Sequence, residues 1–103
     1  MLFFAAGAAG CGLRHAVGIP PGTSAGVILQ AEIARQIKFM QKSYYPDCEG
    51  KIGRTIVTGH EENTVLEEWT VFACEQEYVY EVRLVPQEYG TDFTVQLLQE
   101  IGP

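Results

Sequence analysis

A chain of 103 residues with a net charge of −6, 47% hydrophobic and 19% charged, is one domain with a modest core. It is too apolar for a disordered tail and too mixed for a membrane bundle. Its acidity argues against a nucleic-acid partner, which needs clustered Lys and Arg to displace counterions from phosphate.

The stretch Met1 to Cys11 is uncharged and rich in Ala and Gly, and Gly12, Gly18, Pro20, Pro21 and Gly22 follow it. Neither a helical nor a strand period of apolar residues runs through it, so it reads as a processing or tether segment, and Gly12 to Gly22 as a linker. It is also shorter than the ~20 apolar residues a membrane-spanning helix needs. Ala8-Ala9-Gly10-Cys11 resembles the lipobox of bacterial lipoproteins, in which small residues precede a Cys that is lipidated and becomes the new N-terminus. That resemblance implies export and makes Cys11 the lipidation candidate. The chain then divides into a signal-like or tether segment, 1–22, and a single α+β domain, 23–103.

With Cys11 set aside, Cys48 and Cys74 remain, in neither a C-x-x-C nor a zinc-ligand spacing. In an exported domain an even pair reads as a disulfide, and in a cytosolic one as two buried thiols.

From Ser24 the period is helical. Leu29, Ile33, Ile37, Met40 and Tyr44 follow one another at steps of three or four, with Glu32, Arg35, Lys38 and Lys42 on the other side. This predicts an amphipathic helix from about Ala25 to Ser43, capped by Thr23 or Ser24 and ended by Pro46. Ile28 and Phe39 fall off its core stripe.

Beyond Pro46 the period becomes two. Strands are predicted over Lys51 to Thr58, Val65 to Cys74, Tyr78 to Val85 and Phe93 to Leu98, with turns at Gly59 to Asn63 and Pro86 to Asp92. Tyr78, Tyr80, Val82 and Leu84 share one face, and Trp69 belongs in the core. The fold class is α+β: one N-terminal amphipathic helix packed on a four-stranded antiparallel meander, in the order α-β-β-β-β. The stretch Glu67-Glu68-Trp69-Thr70-Val71-Phe72-Ala73-Cys74, with the tyrosine-bearing strand and Pro86 after it, looks like short uncharacterised exported proteins and lipoproteins of Gram-negative bacteria. In those, a Glu-x-Trp strand leads into a Cys at a hairpin turn, and an earlier Cys is its partner. Cys74-Glu75 stands here where such proteins often have Cys-Gly. The resemblance implies an envelope location and brings no chemistry with it.

Catalytic patterns are sparse. His60 lies beside Glu61 and Glu62, but position 64, where a metalloprotease helix needs its second His, is Thr64. No G-x-S-x-G elbow or dinucleotide loop is present. Glu67 and Glu68, adjacent on a strand, face opposite sides and do not form an acid–base pair. No cofactor or metal is implied.

Charge is unevenly spread. Residues 14–60 hold six cations against three anions, and residues 61–103 hold one cation against ten anions, so a halfway net of +3 meets a net of −9. Such polarity orients a molecule toward a charged partner or lets copies pack head to tail. Tyr and Trp suit interfaces, and Phe39, Tyr45 and Tyr89 are the interface candidates. The sequence therefore points to a non-enzymatic envelope protein, periplasmic or anchored in the outer membrane of a Gram-negative bacterium, acting on a protein partner or on copies of itself. The alternatives are a binding module or inhibitor holding a peptide or ligand between helix and sheet, and an enzyme using His60 with neighbouring carboxylates.

Overall fold

The structure, a computed structural model, describes Ala16 and residues 18–101, of the last three only the backbone. One helix, α1 (Val27–Tyr44), precedes four strands, β1 (Lys51–Glu61), β2 (Thr64–Ala73), β3 (Gln76–Gln87) and β4 (Gly90–Ile101). They form a single antiparallel sheet in sequence order, β1-β2-β3-β4. The α+β meander expected from the sequence is the fold observed.

The strands run further than their apolar alternation indicates, because each hairpin closes on two residues. Glu62-Asn63, Cys74-Glu75 and Glu88-Tyr89 are the turns, so His60 and Glu61 belong to β1, and Pro86 and Asp92 lie in paired strands rather than in a loop. Cys74 and Glu75 both have left-handed backbone, with φ of 52° and 61°. That is the pair of angles a tight type I′ hairpin requires, and it favours Gly at the second position. Glu75 is exposed, so Glu75→Gly removes backbone strain without touching the core. It is expected to stabilise the fold by about 0.5–1 kcal/mol, offset in part by the greater freedom of unfolded Gly. A urea midpoint that rises at unchanged slope checks it.

Alternation sorts the sheet into two faces. Glu67, Trp69, Val71 and Ala73 of β2 and Tyr78, Tyr80, Val82 and Leu84 of β3 are buried beneath the helix. Trp69 stands opposite Tyr80, and Val71 opposite Tyr78, at the centre of the core. On the other face Thr70 and Val79 are buried at the centre and the residues around them are at least partly exposed. Arg83 spans it, bonding Glu81 on its own strand and Glu61 across β2, and Arg54 reaches Glu77. The hydrogen bond to Glu81, with both carboxylates' charge, holds the Arg83 guanidinium above its ordinary value.

The helix departs from its predicted stripe. Its buried row is Gln30, Ile33, Ala34, Ile37 and Gln41, whereas Tyr44 is 55% exposed. Two glutamines occupy core positions because each is fully bonded there. Gln30 accepts from the Ala16 N–H at 2.8 Å and donates to the Ala25 carbonyl at 2.7 Å. Gln41 donates to the Cys48 carbonyl and accepts from the Tyr80 hydroxyl at 2.6 Å. Bonds of this kind remove the penalty of burying an amide.

Gly26, not Thr23 or Ser24, is the N-cap, and no side chain caps the helix. Thr23 and Ser24 are engaged elsewhere. Both bond the carboxylate of Glu67, which is completely buried and also accepts from the Trp69 indole. The described part of the predicted linker, from Gly18, packs along β1: Ile19 is buried, and the Thr55 hydroxyl donates toward the Pro20 and Pro21 carbonyls. Gly22, at φ 130°, lies so close to the Thr55 carbonyl that any side chain there would overlap it.

Candidate functional site

Because the sheet is an open meander, β1 and β4 are its two edges, each with one row of backbone groups that no strand among the described residues pairs. The edges differ. β1 is irregular, with register shifts at Ile52/Arg54 and Val57/Gly59, and carries Lys51, Arg54, His60 and Glu61. Bulges and charges of this kind obstruct pairing with another chain. β4 runs for 12 residues with Asp92 and Glu100 its only charged residues, no Lys, Arg or Pro, and a register shift confined to its far end, opposite Val79/Tyr80.

Beside β4 the helix leaves the sheet partly uncovered. Phe93, Val95 and Leu97 point to the helix side of the sheet and are only half-buried, although they pack against the core cluster. Two hollows line this seam. One, about 710 Å³, is bounded by Met40, Tyr44 and Tyr45 on one side and Val95 and Leu97 on the other. The second, about 480 Å³, lies between Phe39 and Phe93, with Glu32 and Arg35 at its rim. Phe39 is 66% exposed. The seam is thus a shallow groove of mixed lining, apolar at Met40, Phe39, Phe93, Val95 and Leu97 and polar at Glu32, Arg35, Gln36 and Gln96, running along the β4 edge.

Two of the three interface candidates therefore share this groove. Phe39 and Tyr45 line its two halves, Tyr45 half-buried with its ring 4.7 Å from that of Tyr78. Tyr89, 81% exposed, is at the β3–β4 turn, where its hydroxyl bonds Asp92. Val95, Leu97 and Phe93 were legible as one face of a strand, but their incomplete cover was not, since it depends on how far the helix reaches across the sheet.

Cys48 and Cys74 are joined, their Cα atoms 5.4 Å apart, which ties the loop after α1 to the β2–β3 turn. Cys11 lies outside the described residues. His60 is exposed on β1 opposite Val65, and its neighbour Glu61 is paired with Arg83. Among the described residues no three His, Cys, Asp or Glu side chains converge as metal ligands, and no helix is long and apolar enough to cross a membrane. No family model, curated protein or solved structure matches the chain.

Proposed function

We propose that this is a non-enzymatic protein of the cell envelope, periplasmic or lipid-anchored through Cys11, that works by self-assembly, two copies pairing through β4. The carrying observation is the long, nearly uncharged β4 edge beside a shallow, partly apolar groove, on a molecule whose other edge is bulged and charged. Antiparallel pairing of β4 with its copy has a two-fold axis normal to the sheet. Both helices then lie on the same side, and the flanks bearing Phe39 and Tyr44 face each other across the joint. A disulfide is in keeping with an oxidising compartment such as the envelope.

Sedimentation of the purified protein is expected to show a dimer. Thr94→Lys with Gln96→Lys, both on exposed positions of the edge strand, is expected to return it to monomer with its circular dichroism unchanged, since edge lysines block strand pairing. A wild-type monomer at every attainable concentration overturns the assembly. Mass spectrometry of the native protein checks the anchor, the expected species beginning at a lipidated Cys11; an intact Met1 removes it. The groove's position between helix and sheet also favours a second reading, a module that takes an extended peptide along β4. A wild-type monomer that protects β4 amides from exchange only when such a peptide is added selects that reading.

A further inference from the structure

Helix α1 packs by one face only. Its buried row is Gln30, Ile33, Ala34, Ile37 and Gln41, and the crest opposite that row carries Ile28, Glu32, Arg35 and Phe39. Ile28 and Phe39 are eleven positions apart, about three turns, so they stand on one line along the helix. That crest is ordinarily polar. Here Ile28 is 75% and Phe39 66% exposed. A single stray apolar side chain at a surface needs no account, but two on the line facing away from the sheet, flanked by cations, do.

The helix holds Arg35, Lys38 and Lys42 against Glu32 alone, a net of +2 in a chain whose total is −6, so everything else totals −8. The ion pairs among the described residues all lie on the sheet, where Glu77 neutralises Arg54, and Glu61 and Glu81 share Arg83. No helix cation takes part in one. The helix dipole favours Lys42, in the last turn, but not Arg35 in the middle. Glu68, Glu77 and Glu81 alternate with Trp69, Tyr78 and Tyr80 and so lie on the face away from the helix, while Glu62, Glu75 and Glu88 are in the turns. The uneven charge along the sequence thus becomes a polarity across the layers, cationic along the outside of the helix and anionic on the far face and turns of the sheet. A negatively charged plane attracts the first and repels the second.

We propose that the outer face of α1 docks on an anionic lipid bilayer. Ile28 and Phe39 enter the headgroup boundary, and Arg35, Lys38 and Lys42 lie over the lipid phosphates. The apolar pair supplies a hold that does not depend on charge, and the cations supply the choice of lipid. The surface is complete on one copy and does not rest on pairing through β4. Pairing sets both helices on one side, where a single plane meets both.

Flotation of the oxidised full chain carrying Cys11→Ser tests this, since no acyl chain can then bring the protein to a vesicle. Binding is expected with vesicles of phosphatidylglycerol and phosphatidylcholine in equal parts, not with phosphatidylcholine alone, and is expected to fall as salt is raised. Lys38→Gln with Lys42→Gln, and separately Ile28→Ser, change only exposed side chains outside the β4 groove. Each is expected to weaken binding about tenfold. Flotation by a protein that sediments as a monomer supports this surface and overturns only the β4 pairing. Absence of flotation with the phosphatidylglycerol vesicles overturns the proposal, as does equal binding to phosphatidylcholine alone or wild-type affinity in either variant.

Discussion

Replacing Glu67 by alanine is expected to cost about 4 kcal/mol, a large share of the 5–15 kcal/mol that a domain of this kind has in total. Its carboxylate has no solvent exposure and faces four donors and no acceptor. Oε1 accepts from the Thr23 hydroxyl at 2.6 Å and the Trp69 indole N–H at 2.8 Å, while Oε2 accepts from the Ser24 N–H at 2.9 Å and the Ser24 hydroxyl at 2.6 Å. Ser24 is exposed, and water can replace its bonds. Thr23 and Trp69 are sealed, so alanine leaves two buried donors unsatisfied at about 1–3 kcal/mol each and opens a cavity between them. The Thr23 hydroxyl cannot simply turn away, because it also accepts the Ala25 N–H at 3.0 Å.

Glu67→Gln separates the shape of the side chain from its acceptors. In either orientation the amide NH₂ replaces one oxygen, and so faces either the Trp69 N–H or the Ser24 N–H, neither of which can reverse its direction. The expected cost is about 1–3 kcal/mol, less than that of alanine. Urea denaturation followed by circular dichroism measures both. A loss below about 1 kcal/mol for Glu67→Ala, the size of an ordinary surface change, contradicts this account.

Glu67 also shows where the sequence was legible and where it was not. The strand period that places Trp69 and Val71 in the core places Glu67 on the same face, two residues earlier, so parity alone was a usable signal. What it could not supply was the reason a carboxylate is tolerated there, because Thr23 and Ser24 arrive from 44 and 43 residues away. The same cause moved the helix face. Gln30 and Gln41 look solvent-facing by type, yet their partners, including Ala16, Cys48 and Tyr80, lie on other segments. The β2–β3 hairpin and the clean alternation of Tyr78 to Leu84 depend on neighbours in the chain, and these were readable. Strand ends ran longer because two-residue turns follow from pairing rather than from composition. The α1–β4 groove is a product of packing distance, to which no local pattern is sensitive.

Removing the disulfide, as Cys48→Ser with Cys74→Ser, is expected to cost about 3.5 kcal/mol. The bond closes a loop of 26 positions, and in the chain-entropy model its loss returns that much freedom to the unfolded state. The native state keeps its sheet, since the β2 and β3 ladder is made by backbone bonds from Val65–Leu84 to Ala73–Gln76 without help from Cys74. What loosens first is the loop after α1, which the Gln41 amide and the packing of the Tyr45 ring on Tyr78 still hold. The disulfide and Glu67 fasten the helical layer at opposite ends, one through the segment that follows α1 and the other through the segment that precedes it. Cys74 is seven residues beyond Glu67 along the chain, roughly 20 Å on an extended strand. At that separation, with no shared partner, the two losses add to within about 0.5 kcal/mol. Combining the serine pair with Glu67→Ala therefore removes about 7–8 kcal/mol, more than a domain at the lower end of the 5–15 kcal/mol range possesses. The expected result is a folded spectrum and a lowered urea midpoint for each change alone, and for the combination a loss of stability equal to the sum of the two. A serine variant that unfolds at the wild-type midpoint contradicts the role given to the disulfide, and a combined loss that departs from the sum of the two by more than about 0.5 kcal/mol contradicts the independence of the two ties.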